Sequence, residues 1–107
     1  MAFLITMGKY TPKSLAGFME NPDQDRKALV TKMFDATGGK MIDFHIIRGA
    51  YDFVGLAEGT YEQALAVKFL AESSGAISDI TTLESISVSG AAYLAKTIAA
   101  SYKAPAD

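Results

Sequence analysis

Two β-rich segments separated by only two residues constrain the fold of this chain more than any other feature. Residues 40–48 and 51–58 are rich in β-branched, aromatic and other apolar side chains, and Gly49-Ala50 lies between them. Glycine at the first of two turn positions is typical of a type II′ turn. We therefore predict an antiparallel hairpin over residues 40–58.

The two-residue turn also predicts which residues of the hairpin face each other. His45 is expected opposite Val54 and Asp43 opposite Leu56, with residues 47 and 48 opposite 52 and 51. Because side chains alternate along a strand, one face is expected to carry Ile42, Phe44, Ile46 and Phe53. The other, mixed face is expected to carry Met41, Asp43, His45, Ile47, Asp52, Val54 and Leu56. Its aliphatic residues would lie in water, so we expect something further to cover them.

The remaining segments complete a βαββαβ order. The expected elements are a strand over 2–9, a broken helical layer from Thr11 to Gly39 with a second cap at Asn21, the hairpin, a helix over 60–74, a strand over 77–88 and a C-terminal amphipathic helix. This order predicts an α+β, ferredoxin-like fold with a four-stranded antiparallel sheet. We assign the domain to residues 1–88, and a helix with a frayed end to residues 89–107.

Composition excludes several kinds of site and partner. The 107 residues contain no cysteine and one histidine, which excludes disulfides, thiolate zinc sites and a multi-histidine metal site within one chain. A net charge of -2 argues against nucleic acid as a partner. No segment approaches the roughly 20 apolar residues of a membrane span. We expect a cytoplasmic protein without a membrane partner, metal or other cofactor.

Three glycine-containing motifs occur at the ends of the expected strands. They are Gly8-Lys9-Tyr10-Thr11, Gly38-Gly39-Lys40 and Gly49-Ala50-Tyr51-Asp52. Together they resemble the GYD-domain family, small bacterial proteins named after the hairpin motif, over roughly residues 2–88. The hairpin motif alone is also similar to that of ligand-sensing domains of the leucine-responsive regulator type. The resemblance to the GYD-domain family implies a dimeric, α+β barrel-like assembly and no established activity.

Polar residues of the hairpin are the first candidates for chemistry. His45, Asp43 and Asp52 share the mixed face, and a histidine beside carboxylates can act as a general base. The structural alternatives are an interface role for His45 and hydrogen bonds from backbone amides near the turn for Asp52. Tyr51 is a further candidate for ligand binding.

A second candidate site lies where the first strand meets the first helix. Lys9 and Tyr10 precede the backbone amides of a helix N-terminus, and such amides can bind an anion together with an ammonium group. Pro12 lacks one of these donors. The alternative is a solvated lysine beside a packed tyrosine.

Three classes of function remain open at this point. The first is a homodimer, or a larger homo-oligomer, whose mixed faces enclose a small-molecule pocket with Asp43, His45, Tyr51 and Asp52 as polar anchors. The same residues can serve a cofactor-independent isomerase or monooxygenase-like enzyme, by analogy with related dimeric α+β barrels. The third is a structural or partner-binding protein that docks through its C-terminal helix.

Overall fold

The computed structural model describes residues 2–105, and its elements follow the predicted order. They are β1 (Ala2–Tyr10), α1 (Pro12–Glu20), α2 (Arg26–Ala36), β2 (Lys40–Ile46), β3 (Phe53–Gly59), α3 (Tyr61–Ser73), β4 (Ile77–Glu84) and α4 (Val88–Ala99). The strands form one antiparallel sheet in the order β2-β3-β1-β4, which confirms the predicted fold class. No helix in the described range is long and apolar enough to cross a membrane. The predicted frayed end falls partly on Ala106 and Asp107, outside the described residues.

Side-chain caps determine where α1 and α2 begin. The Thr11 hydroxyl accepts a hydrogen bond from the backbone N–H of Ser14, as a helix cap at Thr11 predicts. The predicted cap at Asn21 is wrong, because Asn21 instead ends α1 and a turn follows it. The cap of α2 is Asp25, whose carboxylate accepts from the N–H of Ala28. The helical layer is therefore two separate helices.

The hairpin has the predicted register but a wider loop. His45 lies opposite Val54, and Asp43 lies opposite Leu56, so both predicted pairs are confirmed. The paired register ends three residues before Gly49. Gly49 has a φ of +147°, whereas the first position of a type II′ turn requires about +60°.

The predicted position of Met41 is wrong, because a bulge in β2 places this residue on the other face of the sheet. This residue was expected on the mixed face, but it lies opposite Ala57 in the core and is only 8% exposed. The register shifts between Met41 and Asp43, so Ile42 is an extra residue without a partner on β3. An extra residue reverses the alternation of side chains on one side of it. Met41 and Asp43 therefore point to opposite faces.

The core lies between the sheet and helices α2 and α3. Phe34 and Leu4 are its largest fully buried side chains. The same cluster contains Met41, Phe44, Phe53, Ala57, Ala64 and Val67. The ring of Phe53 packs directly against the backbone of β1 at Gly8. A Cβ atom on Gly8 would lie 2.6 Å from this ring, so the contact requires glycine. We call this side of the sheet the covered face.

The opposite side of the sheet, here called the open face, has no helix packed on it within the described residues. Strand alternation assigns to it Phe3, Ile5, Met7, Lys9, Asp43, His45, Val54, Leu56, Thr81 and Leu83. Phe3 and Leu83 are 41% and 49% exposed. Aliphatic and aromatic side chains of this face are therefore in contact with solvent.

Helix α4 projects away from the rest of the chain. None of its residues is buried, and Tyr93, Leu94 and Ile98 are all more than half exposed. The radius of gyration is 18.6 Å, whereas a compact chain of this length has about 13 Å. The C-terminal helix is present as predicted, but it buries no apolar residue within the described subunit.

Candidate functional site

Strand β2 places His45 and Asp43 together at the margin of the open face. The two residues are separated by one position, so their side chains point to the same side of the strand. Nε2 of His45 lies 2.8 Å from Oδ2 of Asp43. The other carboxylate oxygen accepts from the N–H of Phe44 at 2.9 Å and lies 3.7 Å from Nζ of Lys27.

These contacts stabilise the ionised form of Asp43. The hydrogen bond with His45 holds the pKa of the Asp43 carboxyl below its ordinary value, and the Phe44 amide and the Lys27 ammonium act in the same direction. An ionised carboxylate can orient the imidazole for proton transfer. The side chains of His45 and Asp43 are 61% and 40% exposed, so water competes for both. Within residues 2–105, no three His, Asp or Glu side chains lie close enough to bind a metal ion.

Asp52 has different partners from this pair. Its Oδ2 accepts a hydrogen bond from the backbone N–H of Tyr10 at 2.9 Å, and its own N–H donates to the carbonyl of Gly8 at 2.9 Å. Its carbonyl accepts from the N–H of Ile47 at 2.8 Å. Asp52 therefore continues the pairing of β1 with the hairpin, and the amide that its carboxylate binds belongs to β1 and not to the turn.

Lys9 and Tyr10 lie on opposite faces of β1, because consecutive residues of a strand alternate. Nζ of Lys9 is 3.6 Å from Oδ2 of Asp79 on β4. Tyr10 packs against Phe18 on the helix side of the sheet. The Tyr10 N–H is already bound by the Asp52 carboxylate. The structure does not bring these two side chains together as one anion site.

Tyr51 extends over the open face. Its hydroxyl lies 3.3 Å from the hydroxyl of Thr81 on β4, and either group can donate. Thr81 is the register partner of Met7 on β1, so Tyr51 reaches across that strand. The open face thus carries Tyr51 in addition to Lys9 and the His45–Asp43 pair.

Arg26 forms a polar cluster on the helix side that the sequence patterns do not single out. Its guanidinium donates to Oγ of Ser14 at 2.7 Å and to Oε1 of Gln24 at 2.6 Å. It lies over the rings of Phe18, at 4.3 Å, and Tyr10, at 5.3 Å. One feature of the sequence could have indicated this cluster. Arg26 is the first residue of α2, where the helix dipole disfavours a cation, so other contacts must stabilise it there.

Comparisons with known proteins agree with the observed fold. The family model of the GYD domain matches residues 4–94, which extends into α4. The crystal structure of FFRP-DM1 is similar to this chain with a TM-score of 0.51 and 15% identity, over 80% of this chain and 100% of that chain. At this identity the likeness concerns the fold alone. No curated protein gives a significant match.

Proposed function

The chain belongs to the GYD-domain family, and we propose that it acts as a homodimer that binds a small molecule between two open faces. The observation that carries the proposal is the row of aliphatic residues across β1 and β3, in which Ile5 faces Leu56 and Met7 faces Val54. A second surface over this row would leave the His45–Asp43 pair at the margin of an apolar space. Apolar walls with a few polar groups are typical of ligand pockets.

The solvent-accessible area supports self-association. The chain exposes 7320 Å², whereas a compact monomer of its mass exposes about 5,800 Å². The excess of about 1,500 Å² is larger than the roughly 800 Å² that each partner buries in a standard interface. The open face and α4 both contribute exposed apolar side chains to this excess. A second copy of the chain offers the same two surfaces in return.

Light scattering on the purified chain tests the association. At micromolar concentration we expect a mass of at least twice the 11.4 kDa of one chain. Leu56→Glu should give monomers, because an unpaired carboxylate would be buried at the interface. Met19→Glu is the matched control, since Met19 is 83% exposed on α1 and outside the open face. A wild-type monomer would overturn the proposal.

Native mass spectrometry tests the binding of a ligand. Protein purified from its own source should carry a bound small molecule, and Leu56→Glu prepared in the same way should lose it together with the partner subunit. An occupant retained by the monomeric variant would show that the molecule does not bind between the open faces.

A second candidate function is proton transfer, which is favoured by the 2.8 Å contact between His45 and Asp43. An enzyme of this kind should lose turnover by about two to four orders of magnitude in His45→Gln. A binding protein should instead lose only a modest amount of affinity. Titrating the histidine ring by NMR with metabolite fractions identifies the compounds on which turnover is then measured. A ring that responds to none of them would remove this candidate.

A further inference from the structure

An apolar cavity of about 220 Å³ lies on the covered face, between the sheet and helices α2 and α3. The surface that lines it is almost wholly apolar and includes Val30, Met33, Phe44, Phe53, Ala71 and Ile77. Protein cores contain few voids larger than a water molecule, and a void with apolar walls stays dry. Such a cavity can be filled by an apolar group that comes from outside the chain.

Two further spaces adjoin this cavity and extend it in one direction. A smaller one of about 20 Å³ lies deeper against the sheet and shares Val30 and Phe44 with it. A groove of about 480 Å³ between α2 and α3 shares Leu29 and Leu70 with it. Met33 lines all three spaces, and its unbranched side chain can adopt other conformations at little cost. The apolar space is therefore elongated, which suits a flexible chain better than a rigid ring.

The cavity has an entrance on the side of the groove. Leu29 on α2 and Leu70 on α3 line both the cavity and the groove, and they are 53% and 57% exposed. An apolar chain can therefore pass between the two helices without unfolding either one.

The size of the cavity sets the length of chain that it can bury. An apolar cavity of about 150 Å³ in a protein core takes up benzene, which has six carbon atoms. On the same scale the 220 Å³ of this cavity hold about eight carbon atoms. A longer chain would continue into the groove.

The charged side chains that line the cavity and the groove are both cations. They are Arg26 at the cavity and Lys32 at the groove, and neither forms an ion pair within residues 2–105. The guanidinium of Arg26 is already bound by Ser14 and Gln24. Lys32 is exposed and lies one helical turn from Leu29 on α2, so its ammonium group is available at the mouth of the cavity. A negatively charged head group fits this position.

We propose that this cavity binds the alkyl chain of a medium-chain carboxylate, and that Lys32 binds the carboxylate at the mouth. The site lies on the opposite side of the sheet from the proposed dimer pocket and uses residues of one subunit only. It goes beyond the proposed function and does not depend on it.

Calorimetric titration with octanoate and butanoate tests the binding of the chain. Each buried CH₂ group strengthens binding about fourfold, so octanoate should bind at least thirtyfold more tightly than butanoate. In NMR spectra of the wild-type complex, the terminal methyl group of octanoate should show NOEs to the methyl groups of Val30 and Ile77. Equal affinities for the two carboxylates, or octanoate bound without these NOEs, would overturn the proposal.

Octylammonium has the same chain with the opposite charge and tests the role of Lys32. An exposed ion pair contributes about two- to fivefold in affinity, so the wild type should prefer octanoate to octylammonium by at least that factor. Lys32→Glu should reverse the preference. Lys96→Glu, the same charge change on α4, should leave it as in the wild type. A preference for octanoate that persists in Lys32→Glu would overturn the assignment of the head group to this end.

Two further variants locate the site within the molecule. Ala71 lines the cavity and the smaller space but not the groove, so Ala71→Leu should weaken octanoate binding at least tenfold. The matched control is Ala92→Leu on α4, which should bind octanoate as the wild type does. Leu56→Glu should also bind it normally, even as a monomer. Loss of binding in Leu56→Glu would overturn the proposal, by showing that octanoate occupies the dimer interface.

Discussion

The two faces of the sheet differ in the size of the side chains that β1 and β3 direct to them. On the covered face these strands carry five small residues, Thr6, Gly8, Gly55, Ala57 and Gly59, beside the larger Leu4, Tyr10 and Phe53, whereas the central residues of the open face, Ile5, Met7, Val54 and Leu56, are all large. The small residues leave room for the large side chains of the covered face, as at Gly8, where a Cβ atom would lie 2.6 Å from the ring of Phe53 on the neighbouring strand. The aliphatic residues of the open face lie where no helix within residues 2–105 covers them. This difference supports the proposal that the second packing surface comes from outside the subunit.

The largest expected effect on stability comes from the covered face. Phe34 is 1% exposed, and Phe34→Ala should lower the free energy of unfolding by about 3–5 kcal/mol because it leaves a cavity in the core. Ile5→Ala on the open face should cost much less. Urea denaturation in a Leu56→Glu background measures both without a contribution from association. Equal losses would contradict the comparison of the two faces.

Overpacking of the covered face should have the next largest effect. Gly8→Ala places a Cβ atom against the Phe53 ring and should cost about 1–3 kcal/mol of unfolding free energy. The matched control is Gly17→Ala in α1, where the nearest atom to the new Cβ would be 3.6 Å away. Alanine in a helix interior should stabilise the protein by about 0.5–1 kcal/mol. Thermal melts of the two variants should therefore shift in opposite directions.

Removal of residues 89–107 should weaken association and leave the sheet intact. Helix α4 buries no residue of its own within the subunit, and an isolated helix of 12 residues is marginal in water. We expect at least a tenfold rise in the dimer dissociation constant, or about 1.4 kcal/mol. Sedimentation over a dilution series measures the dimer dissociation constant. Leu94→Ala should reproduce part of the loss, while Lys96→Ala should not.

An unchanged dissociation constant, together with a lower melting temperature of the truncated chain, would contradict this prediction. That result would place α4 against its own subunit.

The smallest expected effect concerns the pH dependence of Asp43. Its pKa is lowered in the folded chain, chiefly by the hydrogen bond with His45. The associated stabilisation is therefore present above the ordinary aspartate pKa of about 3.9 and is lost as the pH falls through the lowered value. In His45→Ala the Asp43 pKa should rise toward its ordinary value. Carboxyl NMR titration checks this, and an unchanged titration would show that other contacts cause the shift.

Features that depend on neighbouring residues could be predicted from the sequence. The pairing of His45 with Val54 follows from hairpin geometry, and the Thr11 cap follows from the Thr-Pro pair at a helix start. The proximity of Asp43 and His45 follows from strand alternation alone. Each of these arises from a spacing of only a few positions along the chain.

Features that depend on competition between neighbouring residues, or on packing between distant ones, could not be predicted from the sequence. Asp25 caps α2 although Asn21 has the better capping pattern, and the Ile42 bulge has no local signal. The partner of Lys9 is on β4, and the surroundings of Tyr10 come from elements far apart in the sequence. These surroundings are a property of long-range packing, so no motif indicates them.

Both outer strands of the sheet are irregular, and this has a consequence for how copies of the chain can meet. On β2 the extra residue is Ile42, and on β4 the two residues Asp79 and Ile80 lie opposite Gly8 alone. Asp79 also has a φ of +54°. Such interruptions prevent a further strand from adding to the exposed backbone groups. Sideways growth of copies of the sheet into a fibre is therefore disfavoured.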